Sequence, residues 1–518
     1  MTGAYPAERG GVSALSEVRN EAVRERKRRP AVPGGRRAGV LTARGTRARH
    51  AAVFAAVIAL VLTACGPRFD RDAIPTIAIG DRQSTDGPEA TGEPTTIPTG
   101  TQSSGQVGSI PTTDTGGGIG GGKGAVVRGG VVKVGGLFPL TGGLSALGTP
   151  AFQGAQAYFN YLNSQGGIAG KKIQFVVCDD QADDTRSTTC AKKLVEQDGV
   201  FMMGPSFTPF SLTVINQLRS AKVPWVGFDG INVEGFSAEN VVTIGSPIET
   251  MEHGLLPYWW DKVKKDTGSP PTKLGVVVLD SGPAQTYLRE AEDVMCPRLG
   301  CEIVRTVEVG YTTTQYGTIC RSMQSQNVDA VWIITDPASA IKLLVQCQAA
   351  GYKPPKGFLG QHGIYLDLTL RQAGRFADGM LSNSALVPDT VNNPATAEMK
   401  KIIRTYYPNA DMGYFTTLAY ASARMVADVI ERVVDAGKEL SRTEALAAAA
   451  GITSYDCHGL CKGVNLAPPA ARTGGNHNIW IVRADFSQDS KGRWVYEAGP
   501  IDSYSVRTWP CPGKPRPC

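Results

Sequence analysis

The sequence predicts an α/β fold of two doubly wound parallel-sheet lobes. Short β-branched runs that end in Gly alternate with amphipathic helical stretches, the pattern of a parallel sheet covered by helices. The alternation occurs in two series, one opening at Val131 and one near Lys273. Together they span about 390 residues, more than one hydrophobic core usually serves.

In the first series, Val131 to Leu137 reads as a buried strand. Thr149-Pro150 reads as the N-cap and first position of a helix to about Asn163, with Phe152, Ala155, Phe159 and Leu162 on one face and Gly166-Gly167 as its stop. Strand Ile173–Cys178, a helix through Leu194 and Val195, strand Val200–Met203, helix Leu212–Ala221 and strand Trp225–Phe228 follow. The second series gives strand Leu274–Leu279, helix Gln285–Met295, strand Glu302–Val307, helix Tyr316–Gln326, strand Ala330–Ile334, helix Ala338–Ala349 and strand Gly357–Leu359. A long helix from Thr416 to Ala436 carries Met425, Val426, Val429, Ile430 and Val433 at helical spacing. Tyr258-Trp259-Trp260 reads as part of a packed helix rather than a stacking platform. Ligands of such sheets bind outside the carboxyl ends of the strands, which puts the expected site between the lobes.

Ahead of the lobes lies a different chemistry. Residues 1–50 hold twelve Lys/Arg against four Asp/Glu, so the formal net charge of +6 comes from this stretch and the remainder is slightly acidic. A near-neutral remainder lacks the concentrated basic face of a nucleic-acid binder. The apolar run Ala51–Leu62 is too short to span a bilayer and suits the core of a signal peptide, with Arg44, Arg47 and Arg49 as its positive flank. Its ending, Leu62-Thr63-Ala64-Cys65, resembles the bacterial lipobox. That resemblance implies removal of residues 1–64, acylation of Cys65, export, and anchoring to the outer face of the cell membrane. Residues 65–130 are rich in Thr, Pro, Ser and Gly and read as a flexible tether. Within them Gly117 to Lys123 mimics a phosphate-binding loop, but Gly124 replaces the Ser/Thr that would hold magnesium and no strand precedes it.

Eleven Cys less the acylated Cys65 leave ten in an oxidising compartment. Neighbours in sequence pair naturally as Cys178 with Cys190, Cys296 with Cys301, Cys320 with Cys347, Cys457 with Cys461, and Cys511 with Cys518, although spacing alone leaves connectivity open. Cys457-His458-Gly459-Leu460-Cys461 has too few ligands for zinc and the wrong order for haem attachment. With no nucleophile elbow, no His-Glu-x-x-His and no metal-ligand spacing among the five His, the chain reads as a binder without cofactor or metal rather than an enzyme.

The ordered series Val134 to Gly143, Gly166 to Asp180, Val195 to Pro205, Val223 to Gly227, Asp329 to Ala338 and Gln348 to Tyr352 resembles the type I periplasmic binding proteins of the leucine/isoleucine/valine class. The resemblance implies a bilobal flytrap with three hinge crossings: lobe 1 over 131–249, lobe 2 over 250–385, a return to lobe 1 over 386–475, and a return to lobe 2 with the tail over 476–518. It further implies a monomer that closes on a small solute and delivers it to ABC permease subunits. A ligand-sensing receptor not coupled to a permease is the alternative.

Residue by residue, the resemblance assigns Ser206-Phe207-Thr208 to a hydroxyl-bearing loop that holds a ligand carboxylate. Asp229-Gly230-Ile231 falls where relatives carry a small residue followed by Thr, so a hydroxyl is lost but backbone N–H groups remain. His362 stands where relatives place the acid that pairs with an α-ammonium, and neutral His cannot do that. Asp229 or Asp336 could supply the missing charge, although Asp336 before Pro337 also suits a helix N-cap. Leu147 and Ala284 replace larger, often aromatic, contacts and leave room for a bulkier solute. The expected ligand is therefore a carboxylate or neutral amide rather than a branched-chain amino acid.

Overall fold

The computed structural model describes residues 126–503 apart from 210, 211 and 474. The expectations for the signal, Cys65, the tether and the Cys511–Cys518 pair lie outside the described residues.

The first lobe is built on β1 (Val131–Phe138), β2 (Lys172–Asp179), β3 (Met202–Met203), β4 (Trp225–Val226) and β5 (Val241–Val242), all parallel in the order β2-β1-β3-β4-β5. Successive strand residues serve opposite cores. Leu137, Met203, Trp225 and Val241 face one hydrophobic cluster, while Phe138, Met202, Val226 and Val242 face the other. That alternation is what a sheet covered on both faces requires.

The second sheet runs β12-β11-β10-β9-β8-β6-β7. Its strands β6 (Lys273–Leu279), β7 (Glu302–Val309), β8 (Ala330–Ile334), β9 (Phe358–Gly360) and β10 (Leu381–Ser384) are parallel. At its edge, β11 (Asn478–Asp485) and β12 (Arg493–Asp502) add an antiparallel ribbon that the sequence reading did not resolve into strands.

Helices α1 (Ser145–Ser164) and α2 (Asp184–Glu196) belong to the first lobe, and α3 (Leu212–Ser220) packs on α2. The chain then leaves β5 for α4 (Ile248–Thr267), which packs on β10 and β11, with Trp259 and Trp260 buried. Helices α5 (Gly282–Glu290), α6 (Tyr316–Ser325) and α7 (Pro337–Ala349) follow β6, β7 and β8. After β10 the chain returns to the first lobe through α8 (Pro394–Tyr406) and α9 (Tyr414–Asp435), both packed on α1, and then α10 (Arg442–Ala450). It crosses once more to form β11. A Cβ on Gly154 of α1 would lie 2.4 Å from the Thr416 carbonyl, so a glycine lets α1 and α9 pack this closely.

Two boundaries differ from expectation. Helix α1 starts at Ser145, so Thr149-Pro150 is not its start. The Leu144 carbonyl accepts from the N–H groups of both Leu147 and Gly148, closing the first turn before Pro150, which stands sixth in the helix and gives up one backbone bond there. The expected helix Gln285–Met295 is α5 followed by a wider π turn over Ala291–Met295 and a short turn Cys296–Leu299. Disulfides join Cys178–Cys190, Cys296–Cys301, Cys320–Cys347 and Cys457–Cys461, four of the neighbour pairs expected.

Candidate functional site

The carboxyl ends of strands from both sheets face one cleft, which holds about 540 Å³ of empty space with the solvent at its mouth included. The first-lobe wall is apolar: Leu144 and Leu147 after β1, Phe207 and Pro209 after β3, Ile231 after β4, and Phe415 at the start of α9. The second-lobe wall is mixed. Leu279, Ser281, Pro283, Ala284 and Tyr287 follow β6, Tyr311 follows β7, Ile334, Thr335 and Asp336 follow β8, and Gln361, His362 and Gly363 follow β9. Among these lining residues none is Lys or Arg, and Asp336 carries the one formal charge.

His362 bridges the walls. Its Nδ1 shares a 2.7 Å hydrogen bond with the Tyr287 hydroxyl, and its ring packs on Phe415 with centroids 5.4 Å apart. Burial pushes the imidazole down to about 3, so the ring is neutral at physiological pH, with one nitrogen to donate and one to accept. Burial, with the nearby Glu252 carboxylate, drives Tyr287 well above the ordinary phenol range, so its hydroxyl keeps its proton. The Gln361 amide is committed within its own loop, donating to the Thr335 carbonyl and accepting from Gly363 N–H.

Asp336 caps α7: its Oδ1 accepts from Ser339 N–H at 3.1 Å. Its Oδ2 is buried with no hydrogen-bond partner among the described residues. A buried carboxylate oxygen left unpaired costs roughly 1–3 kcal/mol or more, so a donor that reached it would be held strongly.

The structure treats the other predicted site residues differently. Leu147, Phe207, Ile231, Ala284, Asp336 and His362 come together in the cleft wall. Ser206, Thr208, Asp229 and Gly230 do not line it. The Ser206 hydroxyl donates to the Gly204 carbonyl and accepts from Leu137 N–H. The Thr208 hydroxyl pairs with Ser187. Asp229 accepts from Thr208 N–H at 2.7 Å and from Ile231 N–H at 3.0 Å, so the backbone donors expected to hold a ligand's anionic end are held by a side chain of the protein itself. Gly230 adopts φ +80 against Gly245, a turn position rather than a contact. Tyr287, Tyr311, Gln361 and Phe415 line the cleft and were not singled out from sequence. Tyr287 lies one helical turn beyond Ala284 and Gln361 adjoins His362, so spacing from the chosen residues could have found both.

Residues 131–493 match the family model described as Periplasmic binding protein. The chain belongs to the periplasmic binding protein family. Leu/Ile/Val-binding protein homolog 7 of Brucella abortus is 21% identical over 311 residues, covering 58% of this chain and 77% of that protein. Among solved structures, a fatty acid ABC transporter substrate-binding protein from Thermomonospora curvata superposes with a TM-score of 0.63 at 20% identity, over 74% of this chain and 96% of that one. A branched chain amino acid ABC transporter protein from Thermus thermophilus with bound valine gives a TM-score of 0.63 at 18% identity, over 73% and 98%. The structural likenesses show a shared fold. This periplasmic binding protein is thus of a solute-binding, extracytoplasmic class, and no described helix is long and apolar enough to cross a membrane.

Proposed function

We propose that the protein is the lipid-anchored, monomeric solute-binding component of an ABC importer, and that it closes around a small solute with an apolar body. One observation carries this reading: a cleft shared by the carboxyl ends of both sheets, with an apolar wall on one lobe and polar groups on the other. A ligand there touches both lobes only when they are together, so its binding energy favours closure. Relatives named for leucine, isoleucine and valine, and a structural neighbour named for fatty acids, bind solutes with apolar bodies, in keeping with such a wall. The lipid anchor rests on Leu62-Thr63-Ala64-Cys65 alone.

Thermal unfolding of the purified chain against panels of aliphatic and aromatic amines, amides, carboxylates and amino acids is the test. A solute that binds only the folded state at 100 times its Kd adds about 2.7 kcal/mol of apparent stability. At least one panel member is expected to raise the unfolding temperature, and uptake of that solute should be lost when the gene is deleted. No stabilisation by any of them, or unchanged uptake, contradicts the reading.

A further inference from the structure

We infer that the solute carries a nitrogen–hydrogen donor head, an amine or a primary amide, and no carboxylate; the inference rests on the solute-binding reading of the cleft and assigns the chemistry of its polar end. Two independent features point the same way. The first is what an anion would lack. The N–H groups of Thr208 and Ile231, on the two loops that give the apolar wall Phe207 and Ile231, are both taken by the Asp229 carboxyl. No Lys or Arg is among the lining residues. A carboxylate brought into the cleft would therefore meet neither a cation nor those amides, and would lie in the same enclosed space as Asp336. Burying a charge without a partner and beside a like charge is strongly unfavourable.

The second is what a donor would gain. Asp336 is 3% exposed, its Oδ1 is fixed by the α7 cap, and its Oδ2 is buried without a partner among the described residues. An N–H from the solute would complete that oxygen. The Tyr311 hydroxyl and the His362 ring lie on the same wall and suit the carbonyl of an amide. The apolar wall of Leu147, Phe207, Ile231 and Phe415 takes the body. Of the sequence expectation, this proposal keeps the amide half and puts the carboxylate half to the test below.

Calorimetric titration of the full purified chain with matched sets that share a body tests this: isoamylamine, isovaleramide, isovalerate and leucine, then benzylamine, benzamide and benzoate. The amine or amide of at least one set is expected to bind about tenfold or more tighter than its carboxylate. Asp336→Asn keeps a competent N-cap and should weaken amine binding by about tenfold or more, with a smaller loss for the amide. Asp229→Ala, which frees the Thr208 and Ile231 amides, should give carboxylate binding that the native protein lacks; should that variant fail to fold, Asp336→Asn carries the test. Tightest binding of a carboxylate or of leucine by the native protein, or amine binding indifferent to Asp336→Asn, overturns the inference while leaving solute binding intact. Binding of none of the seven probes overturns it together with the apolar-bodied solute reading.

Discussion

At the scale of single residues, Asp229 sets the chemistry of the first lobe. Burial raises its carboxyl to about 7, against the stabilising N–H groups of Ile231 and Thr208. A carboxyl raised in the folded state binds its proton more tightly there than in the unfolded chain. The stability this contributes is full below the unfolded value of 3.8 and is lost as pH rises through about 7. His362 has the opposite sign, because lowering it to about 3 gives stability that is lost as pH falls. Comparing the native protein with Asp229→Asn cancels the histidine. The native protein's stability relative to the variant should fall between pH 4 and 8, by at most about 4 kcal/mol, in urea titrations at each pH. A difference that stays flat or grows with pH would show that Asp229 is ionised throughout. The same residue marks a limit of legibility. The sequence places Asp229 and Thr208 in loops after successive strands, but that both turn away from the cleft is a matter of side-chain direction, which no spacing encodes.

Among the elements, the three chain crossings meet at Asn476. Its side-chain amide donates to the carbonyls of Ile244, after β5, and Ala385, after β10, and its own Oδ1 accepts from Asn478 N–H ahead of β11. The Ser246 hydroxyl donates to the Asn476 carbonyl. Asn476→Ala leaves these buried groups unpaired and should destabilise by about 2–4 kcal/mol in chemical denaturation. A loss below about 0.5 kcal/mol would mean that the crossings are held elsewhere. Helical periodicity made the α/β series legible: the run expected over Thr416–Ala436 is the helix Tyr414–Asp435. The two-residue strands β3 and β4 are too short to show a period, yet they fall inside the expected runs Val200–Met203 and Trp225–Phe228, whereas β5 at Val241–Val242 was not expected. Pro150 misled because capping statistics describe the first turn, whereas the chain tightened that turn on Leu144 before reaching the proline.

Over the whole molecule, the lobes touch across the cleft at Gly143 and Tyr311. A Cβ on Gly143 would lie 2.7 Å from the Tyr311 ring, close to its base rather than its flexible end. Gly143→Val should therefore weaken solute binding about tenfold or more by opposing closure, while leaving the unfolding temperature without solute nearly unchanged. Unchanged affinity would show that this contact does not limit closure. The four disulfides lie within single lobes or their returning segments, so alkylation of the unreduced protein should modify none of those eight cysteines, and finding any of them modified would contradict the pairing. Cys65→Ser should release the protein from the membrane fraction; retention would remove the lipid anchor from the account. The most direct test of the central claim is the affinity of Ala284→Trp for the best solute found for the native chain. Ala284 lines the cleft from α5, and an indole there fills the space a solute needs. The account predicts loss of binding with folding retained by circular dichroism; native affinity in a folded Ala284→Trp protein would place the solute somewhere other than between the lobes.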